Sequence, residues 1–462
     1  MKTIELHTLR EIGKMYQDHF PKRKNPQIYF FQRGNRIFAY SPIFNYAAYL
    51  TKEEYKFLTS HELLEKNDIH YDSLINSFLY LPEAENVFVP IEDIGNRQKP
   101  SEKKLNINTL SLIITPLCNL RCKYCFIFGG EKDKILDTRQ INRIYNQLDV
   151  EAMKDIIDQL KPKVLHFFGW GEPTISFDAI KEIVDTYGEK MKYSIVTNGV
   201  YFSRRSEIVR YMMENNFDIE LSFDGLPRIN DLYRVMPDGS SSTQEILATL
   251  QEFKKYKGYR DKVSISIIVC GGNEDLILES IRYIESLGFK NIFFEPLEMN
   301  GRAIENNIKP VDAVKMAINL AEATIYAKKH GLFVFSKFLP ASRNLINVPF
   351  GCSFVEGRSI ALGPDYNLYL CLDSMSELMV GSVEKVGEKY SIKIDYDKLN
   401  YVIEKRYAPN LKNCDDCPVK CGGGCTKCSI SNYKNLDYGG ESEEYCRARR
   451  EALARYIELA FV

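Results

Sequence analysis

The chain has 462 residues, more than one compact core accommodates, so two or three domains are expected. Hydrophobic residues make up 45% and charged residues 27%, the composition of a soluble globular protein, and a formal net charge of −1 predicts neither a nucleic-acid nor a membrane partner. No run approaches the ~18 apolar residues of a membrane span, and the opening MKTIELHTLREIGKMYQDHF lacks the apolar core and small-residue cleavage site of a secretion signal, so the expected compartment is the cytoplasm.

A cytoplasmic location makes the twelve cysteines informative. A reducing compartment disfavours disulfides, which leaves metal or cluster ligation as the better reading. Residues 1–117 contain no cysteine, three cysteines fall within residues 118–125, Cys270 stands alone, and eight lie between Cys352 and Cys446.

In chain order, residues 1–100 read as a small α+β module. IYFFQ-RGN-RIFAY predicts a hairpin with Gly34 and Asn35 at its turn. YLTKEEYKFL predicts a helix with Thr51 and Glu54 as a capping box, and NVFVP is strand-like. Such a unit is either a recognition module or a structural appendage to the next domain. The polar segment 94–104, with Pro100, reads as a linker.

From 101 to about 340, apolar strands at 109–117, 164–170, 192–199, 219–225, 263–270 and 291–298 alternate with amphipathic stretches such as 151–160, 274–288 and 312–331. Strand, helix, strand at these intervals predicts βαβ units and a parallel sheet. The expected fold class is α/β, with a partial (β/α)6 TIM-like barrel whose functional loops lie at the C-terminal ends of the strands. Residues 341–462 form a cysteine-rich, loop-rich domain too poor in core to hold without metal staples, closed by a helix at SEEYCRARREALARYIELAF.

The stretch CNLRCKYC follows the first of these strands and spaces Cys118, Cys122 and Cys125 as C-x3-C-x2-C. A structural zinc site usually takes four ligands; three thiolates in one loop leave a bound metal centre with an open position. The motif, placed after a first parallel strand, resembles the signature of radical S-adenosylmethionine (radical SAM) enzymes. That resemblance implies a 4Fe–4S cluster on the three cysteines, its fourth iron chelated by S-adenosylmethionine, which is cleaved on reduction to a 5′-deoxyadenosyl radical. The cofactor then carries the difficult chemistry while the protein positions it and excludes water.

The companion segments add to the resemblance. Gly169-Trp170-Gly171-Glu172-Pro173 stands where the family has Gly-Gly-Glu-Pro, with Trp170 in place of the first glycine. Thr197-Asn198-Gly199 ends the third strand, and Ser222-Phe223-Asp224-Gly225 with Tyr233-Arg234 looks like the Ser-x-Asp-Gly segment of the family. By the same resemblance, the cofactor-binding set is Tyr124, Gly171, Glu172, Ser222 and Arg234, with Ser222 on the ribose and Arg234 forked onto the cofactor carboxylate. Glu295, at the end of the sixth strand, touches substrate or cofactor, or else caps a helix. Cys270 reads as a buried hydrophobe.

The C-terminal pattern Cys352, Cys371, Cys414-x2-Cys417-x3-Cys421-x3-Cys425-x2-Cys428, Cys446 resembles the SPASM domain, which holds two auxiliary 4Fe–4S clusters. Carried over by order, Cys352, Cys371 and Cys425 hold the inner cluster, and Cys414, Cys417, Cys421 and Cys446 the outer one. Cys428 is extra, either a fourth inner ligand or a sign of an open site. The spacing between Cys417 and Cys421 is shorter than is usual in the family, and Tyr366 stands where the family has glycine. A hairpin over 359–371 delivers Cys371, and Asp373 is the candidate general base. A zinc knuckle is the rival reading of these cysteines.

Together the resemblances imply an enzyme that modifies a ribosomally made peptide or protein side chain by hydrogen abstraction. Its partners would be that substrate and an electron donor such as flavodoxin or ferredoxin, and residues 1–100 would dock a leader peptide. The alternatives are a sulfatase-maturase-like formylglycine-forming enzyme and, in another class, a zinc-stabilised binding protein without catalysis.

Overall fold

The computed structural model describes residues 29–33, 35–41, 46–52, 55, 107–336, 338–339, 354, 357–372, 376–406 and 443–460. In the N-terminal part, β1 (Tyr29–Arg33) and β2 (Arg36–Ser41) form the expected hairpin, closed by the pair Arg33 and Arg36. β3 (Tyr46–Leu50) adds to β2, with Leu50 opposite Ile37 and Tyr49 opposite Phe38. Tyr49 and Leu50, expected in a helix, are therefore in a strand. The pattern of two governs them: Leu50 is buried, Tyr49 is exposed, and the Tyr49 ring meets Phe38 edge-on at 5.9 Å. Glu54 of the expected capping box, the strand-like NVFVP and the linker 94–104 lie outside the described residues.

The six expected barrel strands are all present as a parallel sheet in chain order: β4 (Thr109–Ile113), β5 (Val164–Phe168), β6 (Lys192–Thr197), β7 (Asp218–Ser222), β8 (Val263–Val269) and β9 (Asn291–Pro296). Two further parallel strands flank them. β10 (Phe333–Ser336) pairs with β9, and β11 (Ser359–Leu362) pairs with β4. β10 has four residues, too few for a periodic signal to stand out; β11 is the expected hairpin strand, and its parallel pairing with β4 is what the structure adds. The sheet then turns antiparallel through β12 (Asn367–Tyr369), β13 (Met379–Val386) and β14 (Lys389–Ile394). β11 and β12 form the hairpin expected over 359–371, so the first barrel strand and the strand leading to Cys371 are one strand apart in a single 11-stranded sheet.

The helices are amphipathic and cover the apolar face of the sheet. α1 (Val150–Leu160) starts where Asp149 accepts the Glu151 N–H at 2.9 Å, and it buries Ala152, Met153, Ile156 and Ile157. They join Leu110, Leu112, Leu165, Phe167, Ile195 and Leu221 in one core, each large side chain contributing about 1.5–3 kcal/mol. The strand residues that alternate with these are more polar, among them Ser111, His166, Ser194, Glu220 and Ser266. α2 (Ala313–Lys329) packs along α3 (Glu443–Ala460), and Arg455 bonds Glu322 at 2.7 and 2.9 Å, which returns the C-terminal helix and its Cys446 to the barrel.

The outer edge of the sheet is closed by α1. Asp155 accepts the Tyr390 N–H at 2.7 Å, and Gln159 bonds both the Ile392 N–H and the Tyr390 carbonyl. These side chains stand in for the missing neighbour strand. At the β11–β12 turn, Tyr366, expected at a glycine position, has φ +63°, a conformation that costs a side-chain-bearing residue roughly 1–2 kcal/mol. Its ring stacks on Tyr390 at 5.7 Å and meets Tyr145 edge-on at 5.1 Å, contacts that glycine cannot make.

Candidate active site

The three-cysteine loop leaves β4 and is pinned to the exits of three other strands. The Glu172 N–H bonds Leu117 O at 2.7 Å beyond β5. Arg121 and Lys123 donate their N–H groups to Val235 O and Tyr233 O at 2.8 Å each, so the loop lies along the segment after β7. The Arg302 N–H bonds Cys125 O at 3.0 Å beyond β9. The loop's own backbone groups are thereby satisfied without regular secondary structure.

Each of the three sulfurs accepts an N–H. Cys118 Sγ receives the Leu120 N–H at 3.4 Å, Cys125 Sγ the Gly129 N–H at 3.3 Å, and Cys122 Sγ the Arg234 Nη1 group at 3.9 Å. Burial pushes the Cys118 thiol well up and the Cys122 thiol up to about 11, with Arg234 opposing the shift at Cys122. Three half-buried sulfurs supplied with donors suit thiolates whose charge a metal cluster offsets. Among the described residues, no three His, Cys, Asp or Glu side chains converge as they would on one metal ion. A cluster held at three corners would take Cys118, Cys122 and Cys125 as its ligands, each sulfur accepting one N–H.

Two carboxylates organise the rim. Glu172 is 2% exposed. Its Oε1 accepts from Thr174 N–H (3.1 Å), Thr174 Oγ1 (2.6 Å) and Thr197 Oγ1 (2.6 Å), and its Oε2 from the Asn198 N–H (2.8 Å). Glu172 therefore braces the exits of β5 and β6 with its side chain already engaged. Asn198 continues the brace by donating Nδ2 to Asn119 Oδ1 in the cysteine loop at 2.8 Å. Gly171 is required by proximity: a Cβ there would lie 1.8 Å from Leu117 O. Trp170 is fully buried beside Tyr369, Ala361 and Ile113, so the residue replacing the family's glycine fills the space between β5 and the β11–β12 hairpin.

Asp224, past β7, is the second organiser. Its Oδ2 accepts the Tyr124 hydroxyl at 2.6 Å, and its Oδ1 accepts Arg234 Nε at 3.3 Å and the Ile268 N–H at 3.2 Å. The Arg234 guanidinium also sits 5.4 Å from the Tyr124 ring centre. Burial pushes the Asp224 carboxyl up while Arg234 and the hydrogen bonds hold it down. Ser222 is half-buried at the end of β7, in register with Ser266. Within the barrel, burial raises the Glu220 carboxyl, with Ser266 bonded to it and Glu295 nearby. His166 Nδ1 lies 2.9 Å from Ser194 Oγ, and burial lowers its pKa to about 4.

The structure thus brings Cys118, Cys122, Cys125, Tyr124, Gly171, Glu172 and Arg234 to one rim, with Ser222 at the strand end beside them. Cys270 is fully buried with Tyr124, Tyr233, Leu297 and Ala303, the hydrophobe expected of it. Cys371 and Cys446 are half-buried. Cys352, Asp373, Cys414, Cys417, Cys421, Cys425 and Cys428 lie outside the described residues. The organising role of Asp224 and the part played by Arg302 are not evident from the order of residues. The signals for them are the Ser-x-Asp-Gly segment that contains Asp224 and the Gly301-Arg302 pair after the sixth strand.

Three cysteines after the first strand of a parallel α/β sheet, with the rim built from the following strand ends, define a radical SAM domain; residues 112–284 match the radical SAM superfamily. That family implies S-adenosylmethionine and a 4Fe–4S cluster. The chain is 28% identical over 194 residues to the uncharacterized protein MJ0907 of Methanocaldococcus jannaschii, covering 41% of this chain and 62% of that one. It is 27% identical over 219 residues to the radical SAM cyclopropyl synthase TigE of Paramaledivibacter caminithermalis, covering 45% and 44%. Both alignments span less than two thirds of the relative. The cysteine-type anaerobic sulfatase-maturating enzyme of Clostridium novyi is 22% identical over 376 residues, covering 76% of this chain and 96% of that enzyme. Among solved structures, anSMEcpe with bound AdoMet superposes with TM-score 0.58 at 19% identity, covering 76% and 98%. Streptococcus suis SuiB bound to S-adenosylmethionine does so with TM-score 0.52 at 15% identity, covering 91% and 98%. At these identities the structural likeness shows the fold. No helix among the described residues is long and apolar enough to cross a membrane.

Proposed function

We propose that the chain uses S-adenosylmethionine, bound at a 4Fe–4S cluster on Cys118, Cys122 and Cys125, to modify a side chain of a ribosomally made peptide or protein by hydrogen abstraction. The single observation that carries the reading is the three-cysteine loop pinned at the C-terminal rim of a parallel sheet, with every sulfur accepting an N–H. Bound there, the cluster and S-adenosylmethionine would supply the radical chemistry. The residues of the chain do the rest. Arg234, balanced by Asp224, stands ready to fork onto the cofactor carboxylate. Ser222 would bond the ribose, and Gly171 lets the β5 exit approach the loop.

Support for a peptide or protein substrate comes from the relatives. One anSMEcpe structure holds both AdoMet and the Cp18Cys peptide. The chain aligns over most of the sulfatase-maturating enzymes, which favours formylglycine formation as the second reading. The likeness to SuiB extends to 91% of the chain as a likeness of fold, and the proposal assigns substrate docking to the first hundred residues. Two auxiliary clusters on the C-terminal cysteines, Asp373 as base and a flavodoxin- or ferredoxin-type electron donor complete the proposal.

The test is iron, sulfide and zinc content after anaerobic reconstitution, for the wild type and for a variant with Cys118→Ala, Cys122→Ala and Cys125→Ala. Three 4Fe–4S clusters predict about 12 iron atoms per chain, falling to about 8 in the variant. Zinc without iron overturns the enzyme in favour of a binding protein.

A further inference from the structure

The segment leaving the sixth barrel strand grips the cysteine loop more fully than any residue of the family motifs. Arg302 is 5% exposed, and its N–H and guanidinium reach along the loop from Cys122 to Glu131. The N–H bonds Cys125 O at 3.0 Å. Nη1 donates to Cys122 O at 3.1 Å, Nη2 to Gly129 O at 2.5 Å, and Nε to Glu131 Oε2 at 2.6 Å. Gly301 makes this approach possible. Its φ is +56°, and a Cβ would fall 2.5 Å from Cys125 O and 2.7 Å from Phe126 O. The contacted carbonyls belong to Cys122, to Cys125 and to Gly129, whose N–H the Cys125 sulfur accepts, so the Arg302 contacts tie together the backbone around two of the sulfurs.

Arg302 also brings charge. Cys122 stands between two buried guanidiniums, Arg234 at its sulfur and Arg302 at its carbonyl. Glu131 pairs with Arg302 from a half-buried position and is shared with Lys134 at 3.2 Å. A lysine has charge but no planar fork, so it cannot hold Cys122 O, Gly129 O and Glu131 together.

We infer that Arg302 is a positioning residue for the cluster: its fork holds the three-cysteine loop in its ligating shape, and its charge raises the reduction potential of the cluster. The inference rests on the cluster reading proposed above. The test uses the full chain, reconstituted anaerobically, with Arg302→Gln and Arg302→Lys. The cluster on the loop is identified by the change in its electron paramagnetic resonance spectrum when S-adenosylmethionine is added.

In Arg302→Gln, iron from that cluster is expected to pass to a chelator at least tenfold faster than in the wild type. Its reduction equilibrium should move about tenfold toward the oxidised form, ~59 mV lower for one electron. Arg302→Lys should keep the potential near that of the wild type but still lose iron faster, which separates charge from fork. In the cluster-free proteins, amide hydrogen exchange over 122–130 should rise in both variants. Wild-type iron release together with a wild-type potential in Arg302→Gln overturns the inference alone. If Arg302→Gln does not fold, unchanged iron release in Arg302→Lys overturns it. A wild type with no cluster that responds to S-adenosylmethionine overturns the cluster reading, and the inference with it.

Discussion

On the β5–β6 side of the rim, the Glu172 carboxylate takes four uncharged donors; on the β7–β9 side, the Asp224 carboxylate takes a phenol, a backbone N–H and a guanidinium. Both are almost fully buried, and both tie strand exits to the cysteine loop. Removal should therefore have different consequences on the two sides. The neutral side loses hydrogen bonds. The charged side is left with Arg234 deprived of its Asp224 partner, next to a cysteine sulfur. The charged side is also where an anionic cofactor group would be received, since a guanidinium held by a single carboxylate retains donors for a second partner.

The largest expected effect is that of Asp224→Asn. Breaking a buried ion pair by removing one partner costs about 3–5 kcal/mol, and urea unfolding of the cluster-free protein reads it directly. A cost no larger than that of Glu172→Gln would break the contrast between the two sides.

A somewhat smaller effect is expected deeper on the neutral side, where His166 faces Ser194. Burial lowers its folded pKa to about 4, below the ordinary value of 6.5. Above pH 6.5 the imidazole is neutral whether the chain is folded or not. As the pH falls from 6.5 toward 4, the unfolded chain takes up a proton that the folded one refuses, so stability falls by up to roughly 3 kcal/mol across that window. His166→Gln should remove that part of the slope. Unfolding curves at pH 7 and pH 4.5 for both proteins decide it, and parallel pH profiles would place a charged histidine on the side described as neutral.

The smallest of the three is Glu172→Gln. The amide keeps one acceptor oxygen but turns an NH₂ toward groups that are donors, which leaves buried hydrogen bonds unmade at about 1–3 kcal/mol. Hydrogen exchange at the Thr174 and Asn198 amides should quicken in this variant. If exchange is unchanged there, Glu172 is not the brace its contacts describe.

The order of strands and helices was legible in the residues because apolar periods of two and of 3.6 survive in each segment long enough to count. The six barrel strands, α1, α2 and the C-terminal helix all follow from them. The three-cysteine loop was legible because its motif is local, with the three cysteines within eight residues of one another. β10 was not, since four residues carry no period, and neither was the parallel pairing of the hairpin strand β11 with β4, which depends on which edge is free. Tyr49 and Leu50 went to a strand because pairing with β2 outweighed a local helical pattern.

What the residues settled alone is the material of the site: three thiols after a first strand, a Gly-Glu-Pro turn, a serine, an aspartate and an arginine further on. What only the tertiary structure decided is their partners. Tyr124 and Asp224 are 100 positions apart, and Arg302 lies 180 positions from Cys122, yet both pairs are hydrogen-bonded. A parallel sheet brings the ends of successive strands to one rim whatever the chain length between them, so contacts there are set by strand order and register rather than by any spacing readable along the sequence.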